Sequence, residues 1–132
     1  MTIRVSNSAA NGALDAIATA WGASPLLRIY SGTAPTDTGT ALSGNTLLAV
    51  ITLAPASAAS GTKDCLGGVQ TVAAAATGTA SFYRVYNSAG STCHEQGSVG
   101  TSGTDVVIDN TSINSGQSVK FNSFSKTYPN TP

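Results

Sequence analysis

The most reactive side chains that stand together in this sequence belong to Cys93, His94 and Glu95. A thiol, an imidazole and a carboxylate can form a nucleophile, its base and an orienting acid, provided that the three side chains converge. Neighbours on a strand point to opposite faces, so Cys93 and His94 should diverge, while Cys93 and Glu95 should share a face. The chain has one histidine. We therefore predict no catalytic residue and an exposed His94. An enzyme built on His94 with Cys93 or Glu95 remains a competing hypothesis.

Potential metal ligands are few and scattered. Zinc sites draw mainly on Cys and His, and this chain has 2 Cys and 1 His, with no short ligand spacing. Asp105, Asp109 and Asn110 lie close enough in sequence to suggest calcium, but such side chains in turns usually bond their own backbone. The glycine pair at 67–68 is not followed by the Lys of a phosphate-binding loop. The sequence predicts neither a metal site nor a cofactor.

The two cysteines, Cys65 and Cys93, permit a single intramolecular disulfide. Such a bond would contribute roughly 3–4 kcal/mol if it were unstrained. The segment from Met1 to Val5 shows no apolar stretch behind its arginine, so we expect no secretory signal and synthesis in a reducing cytoplasm. Two unpaired thiols that pack as small hydrophobic groups are the preferred interpretation.

The composition excludes several classes of function. Six Lys and Arg balance six Asp and Glu, and charged residues make up 9% of the 132 positions. Without a basic excess, binding of nucleic acid through phosphate neutralisation is not expected. No apolar run reaches the roughly 20 residues that span a bilayer, so no membrane insertion is expected either. Ala, Thr, Ser and Gly together occupy 69 positions. A surface built from such small side chains, with few charges, favours a structural or interaction protein.

One helix is predicted near the N-terminus. Leu14, Ile17 and Trp21 form an apolar stripe at helical spacing, and Gly22 follows as a natural C-terminal cap. Ser and Asn residues at 6–8 can cap the start, although Gly12 suggests that the helix begins near Asn11.

About seven short strands with turns between them follow this helix. The clearest are TLLAVITL at 46–53 and the aromatic segment at 80–86, which a turn at 87–90 connects to a return strand at 93–99. Near the C-terminus, the spacing from Phe121 to Phe124 indicates a β-bulge. We predict a mainly β fold, an antiparallel β-sandwich of jelly-roll type with one N-terminal α-helix. We expect residues 1–132 to form a single domain, with an arm and helix at 1–25 and a tail at 127–132.

Four aromatic residues could form a carbohydrate-binding site. Tyr30, Phe82, Tyr83 and Tyr86 could stack against sugar rings. Strand alternation places Phe82 and Tyr86 on one face and Tyr83 on the other. A core with one exposed ring is the preferred interpretation, and an exposed Tyr83 beside Tyr30 would instead favour carbohydrate binding.

Eight short segments follow one another in a recognisable order: MTIRVSN at 1–7, LDAI at 14–17, LRIYSGTAP at 27–35, ATGTA at 76–80, FYRV at 82–85, CHEQG at 93–97, DN at 109–110 and GQSV at 116–119. Together they resemble small virion structural proteins of tailed bacteriophages. Proteins of this size and class often resemble capsid decoration, or cement, proteins. The resemblance implies a non-enzymatic protein on the capsid exterior, made in the host cytoplasm, that stabilises the shell by binding the major capsid protein.

A cement protein gains affinity from many modest contacts with a repeated lattice. Extended chain ends suit that role, so the predicted partner interface consists of Thr2, Ile3, Arg4, Val5, Tyr128 and Pro129. Symmetric lattice positions favour a closed homo-oligomer, and a trimer is the expected state. The alternative is a tail or fibre β-sandwich module that binds host-surface carbohydrate.

Overall fold

The computed structural model describes residues 4–127 and the backbone of residues 130 and 131. It is mainly β with one N-terminal helix, as predicted. The elements in chain order are β1 (Val5–Ser6), α1 (Asn7–Trp21), β2 (Leu26–Ser31), β3 (Leu47–Thr52), β4 (Thr62–Asp64), β5 (Gln70–Ala73), β6 (Gly78–Tyr86), β7 (Cys93–Gly100), β8 (Val106–Ile108), β9 (Ser112–Ile113), β10 (Ser118–Thr127) and β11 (Asn130–Thr131).

Helix α1 begins before the predicted start near Asn11 because Ser6 caps it. The Ser6 hydroxyl accepts a hydrogen bond from the Ala9 N–H at 3.2 Å, which satisfies one of the free donors of the first turn. Gly22 ends the helix with a φ of 95°, and its N–H bonds the Ala18 carbonyl. The side chains that α1 buries are Ala10, Leu14 and Trp21.

The principal sheet has the strand order β3-β2-β6-β7-β8-β10-β4, with β5 added to β10 and β9 added to β6. Its pairs are antiparallel except for β7 and β8, which run parallel through Val99–Val106 and Gly100–Val107. The predicted hairpin is present as β6 and β7, with Phe82 opposite Ser98. The predicted bulge in β10 is confirmed, since the register against β8 shifts between Phe121 and Ser123.

The sheet curls until β3 approaches β5. The Ala75 N–H donates to the Leu48 carbonyl at 2.8 Å, and the Gln70 side-chain amide reaches the Thr52 carbonyl at 3.4 Å. These bonds cover part of the β3 edge, which would otherwise be free to pair with another chain. The inner face of the curled sheet encloses the main core, and Trp21 of α1 stacks on Phe124 with 6.2 Å between the ring centroids.

A second cluster lies on the outer face of the sheet and consists of Tyr30, Phe82 and Tyr86. The alternation predicted for the β6 aromatics is therefore confirmed, because Tyr83 joins the main core. The prediction that one of these four rings is exposed is wrong. All four are buried, and the most exposed of them, Tyr86, is only 8% exposed. An exposed Tyr83 beside Tyr30, the arrangement that would favour sugar stacking, is not found.

Helix α1 is attached to the sheet through a buried lysine. Lys63 of β4 is 3% exposed, and its ammonium contacts the Asp15 carboxylate at 2.8 Å and the Ala56 carbonyl at 2.6 Å. The same carboxylate accepts the Ala58 N–H at 2.9 Å. The hydrogen bond from Lys63, and then that from Ala58, lower the pKa of Asp15 below its ordinary value.

We predict that this contact makes folding sensitive to acid. Because the pKa of Asp15 is lower in the folded state, its contribution to stability is complete above the unfolded value of about 4 and is lost as the pH falls below that value. Chemical denaturation between pH 6 and about 2 tests this. Asp15→Asn should be less stable than the parent at neutral pH, and the difference should shrink in acid. A difference that is constant over the whole range would contradict the prediction.

Candidate functional site along strand β10

Strand β10 changes partners along its length, and this leaves openings on both of its sides. On one side, Ser118–Phe121 pairs with β5 and Ser125–Thr127 pairs with β4. On the other side, β8 pairs only as far as Phe124. On the first side, β5 and β4 leave Asn122 and Ser123 unpaired, and the Phe124 carbonyl accepts the Cys65 N–H at 2.8 Å just after β4. On the second side, β10 has no strand partner beyond Phe124.

The first opening, which we call the polar cleft, lies beyond the end of β8. Its volume is about 200 Å³, and its lining residues are Tyr83, Asp105, Phe124, Ser125, Lys126 and Thr127. It exists because β7 pairs with β8 only at Val99 and Gly100, so the earlier part of β7 has β6 on one side and no strand on the other. Polar side chains bridge this gap in the sheet.

Glu95 is the centre of that bridge. One carboxylate oxygen accepts the Tyr83 hydroxyl at 2.6 Å, and the other forms an ion pair with Lys126. The Glu95 and Lys126 side chains are only 16% and 21% exposed. Burial, followed by the charge and hydrogen bond of Glu95, raises the pKa of Tyr83 far above its usual range, so its hydroxyl stays protonated and donates. The three groups provide one another's hydrogen-bond and charge partners, which is typical of a structural connection between strands.

Gly97 is required by the packing of the polar cleft. A Cβ at this position would lie 2.7 Å from the Asp105 carboxylate and 2.8 Å from the Tyr83 ring. Tyr83 is 2% exposed, and its ring contacts the Phe124 ring edge-on, with 5.0 Å between the ring centroids. The Tyr83 ring therefore cannot move away without disturbing the core.

We predict that Gly97→Ala lowers the free energy of unfolding by about 1–3 kcal/mol through overpacking. Gly12→Ala is the matched control, because a Cβ at Gly12 in α1 meets nothing within 4 Å. That control should raise stability by about 0.5–1 kcal/mol. Urea denaturation of both variants measures the two effects, and a Gly97→Ala variant as stable as the parent would refute the packing argument.

The second opening, which we call the acidic pocket, lies on the other side of β10. Its volume is about 270 Å³, and its lining residues are Asp64, Leu66, Gly68, Val69, Asn122, Ser123, Phe124 and Ser125. Leu66 and Phe124 are each 1% exposed, whereas Val69 is 60% exposed. Val69 is the one large hydrophobic residue exposed within the described ranges. The pocket combines an apolar lining with a single carboxylate.

The three residues of the Cys93–Glu95 triplet do not converge. The register of β7 against β6 shifts so that Glu95 faces Val85 while Cys93 faces Tyr86, which makes His94 the extra residue of a bulge. The prediction that Cys93 and Glu95 share a face is wrong for that reason: Cys93 packs on the second cluster, whereas Glu95 bonds Tyr83 of the main core. His94 is exposed, as expected.

Both cysteines are free thiols, as preferred from the sequence. Cys65 is fully buried in the main core and Cys93 packs on the outer cluster, so the sheet separates them. Burial raises the pKa of the Cys65 thiol to about 11 and also raises the pKa of Cys93. Neither sulfur is activated as a nucleophile.

The side chains considered for calcium bond nearby groups instead. Asp105 accepts from the Ser98 N–H and hydroxyl, each at 3.0 Å, and Asp109 accepts the Lys120 N–H at 3.2 Å. Asn110 accepts the Ser112 N–H at 2.9 Å. Within residues 4–127, no three His, Cys, Asp or Glu side chains come together as a metal-binding group.

The predicted interface residues lie at the two chain ends. Arg4 is exposed, and Val5 of β1 pairs in parallel with Asn130 of β11. Thr2, Ile3, Tyr128 and Pro129 lie outside the described residues. The polar cleft and the acidic pocket were not predicted, because both depend on which strands flank β10.

Comparison of the chain with protein-family models, curated protein sequences and solved structures gives no match. In the part of the chain that the structure describes, no helix combines the length and the apolar character needed to cross a membrane.

Proposed function

We propose that this chain is a structural virion protein that decorates a tailed-phage capsid and stabilises it by binding the lattice of the major capsid protein. The observation that carries the proposal is that the Tyr83, Glu95 and Lys126 side chains bind one another. Their hydrogen bond and ion pair join β6, β7 and β10 across a gap in the sheet, so the titratable groups that meet there hold the fold together. This use of the polar groups supports a structural role for the protein.

The surface supports the same proposal. Six cations and six anions give zero formal net charge, and hydroxyl-bearing and small residues dominate the sequence. Repulsion between copies is weak on such a surface, so neighbouring copies can approach each other on a lattice. We propose a homo-oligomer, with a trimer as its state, on the capsid exterior after synthesis in the host cytoplasm.

The chain ends support the proposal through their placement. β1 leads directly into the Ser6 cap of α1, and β11 follows three residues after the end of β10 at Thr127. Since β1 and β11 pair with each other, the two end strands of the chain lie side by side. We propose that Thr2, Ile3, Arg4, Val5, Tyr128 and Pro129 form a single contact with the shell.

Co-sedimentation with purified DNA-free phage heads tests the proposal, with light scattering on the free protein as a second measurement. We expect saturable binding to heads and a trimer in solution. A variant lacking residues 1–4 is the matched test of the chain ends, and it should bind heads less tightly while keeping the thermal stability of the parent. A monomer that does not bind heads would overturn the proposal.

A further inference from the structure

The acidic pocket has the chemistry of a receptor for a lysine side chain. We propose that it binds one lysine of the partner protein; the identity of that partner as the shell protein rests on the proposed function, whereas the chemistry rests on the pocket alone. The geometry that points to lysine is an open, partly apolar pocket that carries one carboxylate without an ion-pair partner among the described residues.

Asp64 carries a charge that no cation among the described residues compensates. In the pairing of β10 with β4, Ser125 lies opposite Asp64 and Lys126 lies opposite Lys63. Paired residues share a face of the sheet, so Asp64 and Ser125 face the pocket while both lysines face inward. There Lys63 is bound by Asp15 and Lys126 by Glu95. Asp64 therefore forms no ion pair within residues 4–127.

Backbone hydrogen bonds fix the orientation of the Asp64 carboxylate. Its Oδ1 accepts the backbone N–H of Leu66 at 3.0 Å and that of Gly67 at 3.4 Å. Among the described groups, none donates to the other oxygen, Oδ2. A single available oxygen suits the compact ammonium of lysine better than the guanidinium fork of arginine, which favours two parallel hydrogen bonds.

The pocket has an apolar wall beside the carboxylate. Val69, which is 60% exposed, supplies its accessible hydrocarbon surface, and the buried Leu66 and Phe124 close it from the core side. The remaining lining residues are glycine or uncharged polar residues. A lysine can bury its methylene stem on such a surface while its ammonium stays at the polar end. The volume of about 270 Å³ is sufficient for one such side chain.

Nuclear magnetic resonance titration of the full chain with Nα-acetyl-lysine N-methylamide tests the pocket itself. We expect saturable shifts of the Leu66, Val69 and Asn122 amides at millimolar ligand, as befits a small probe. The norleucine analogue has the same stem without the ammonium, and it should bind about fivefold more weakly or worse. The arginine analogue should not bind more tightly than lysine. Equal affinity for norleucine, tighter binding of arginine, or no saturation would each overturn the proposal.

Asp64→Asn is the decisive variant because it removes the charge and keeps Oδ1 as an acceptor for Leu66 and Gly67. It should weaken lysine binding about fivefold or more and leave norleucine binding unchanged. Asp109→Asn is the matched control, since Asp109 is also exposed and also accepts a backbone N–H. It should bind lysine as the parent does. Unchanged lysine binding in Asp64→Asn would overturn the proposal.

The same variants separate this inference from the proposed function when they are tested on heads. Weaker binding of Asp64→Asn, but not of Asp109→Asn, would support both proposals. Equal binding by all three proteins would overturn a role of the pocket in head binding and leave the proposed function in place. Binding of the lysine probe without any binding to heads would support the pocket and overturn the proposed function.

Discussion

Replacing Phe124 by alanine should lower the free energy of unfolding by about 3–5 kcal/mol, the loss typical of a buried aromatic ring. Phe124 is 1% exposed and joins parts of the fold that are distant in sequence. Its ring stacks with that of Trp21 of α1, with 6.2 Å between the centroids, and contacts the Tyr83 ring of β6 edge-on, with 5.0 Å between the centroids. Loss of the ring therefore weakens the attachment of the helix as well as the core.

Urea denaturation measures this effect, and Val69→Ala is the control. Val69 is 60% exposed, so its truncation should change stability by less than about 0.5 kcal/mol. Phe124→Leu should fall between the two variants, because it keeps most of the buried apolar volume. A Phe124→Ala variant no less stable than Val69→Ala would show that the helix and sheet are not joined as described.

Replacing Arg84 by methionine should cost about 2–4 kcal/mol and release the segment between β2 and β3. Arg84 is 3% exposed, and its guanidinium donates to the carbonyls of Asp37 at 3.1 Å and Thr40 at 2.7 Å. It also donates to the Gln96 side chain at 3.1 Å. Methionine keeps the apolar stem but leaves these acceptors without their donor.

Hydrogen exchange checks the second part of that prediction. The Thr40 N–H bonds the Asp37 carbonyl at 3.2 Å, so its exchange reports whether the turn is held. We expect faster exchange at Thr40 in Arg84→Met and unchanged exchange in the turn bond from the Gln117 N–H to the Asn114 carbonyl, before β10. Arg84→Lys should fall between the parent and Arg84→Met, because one ammonium can replace the Nη2 that donates to both carbonyls but not also the Nε that donates to Gln96. Parent-like exchange in both variants would contradict this account.

The parts of the fold that depend on local sequence could be predicted. The stripe of Leu14, Ile17 and Trp21 with its flanking caps predicts α1, and the polar turn after Tyr86 predicts the β6–β7 hairpin. The spacing of Phe121 and Phe124 predicts the bulge in β10. Each of these signals lies within one element or one turn, where the chain's own periodicity decides the structure.

The candidate site depends on pairings between distant segments, which the sequence does not reveal. β4, from Thr62 to Asp64, lacks an apolar pattern because its inward residue is Lys63, and this lysine is buried only because Asp15 comes from α1. Likewise, strict alternation misplaced Glu95 relative to Cys93, since a single extra residue in β7 reverses the faces. The acidic pocket follows from where β4 and β5 leave β10.

We propose that this chain works as a component of a virion. Quantitative mass spectrometry of virions purified from a culture that produces the chain tests this proposal most directly. We expect a copy number close to that of the major capsid protein. Absence of the chain from purified virions, or a few copies per particle, would contradict it.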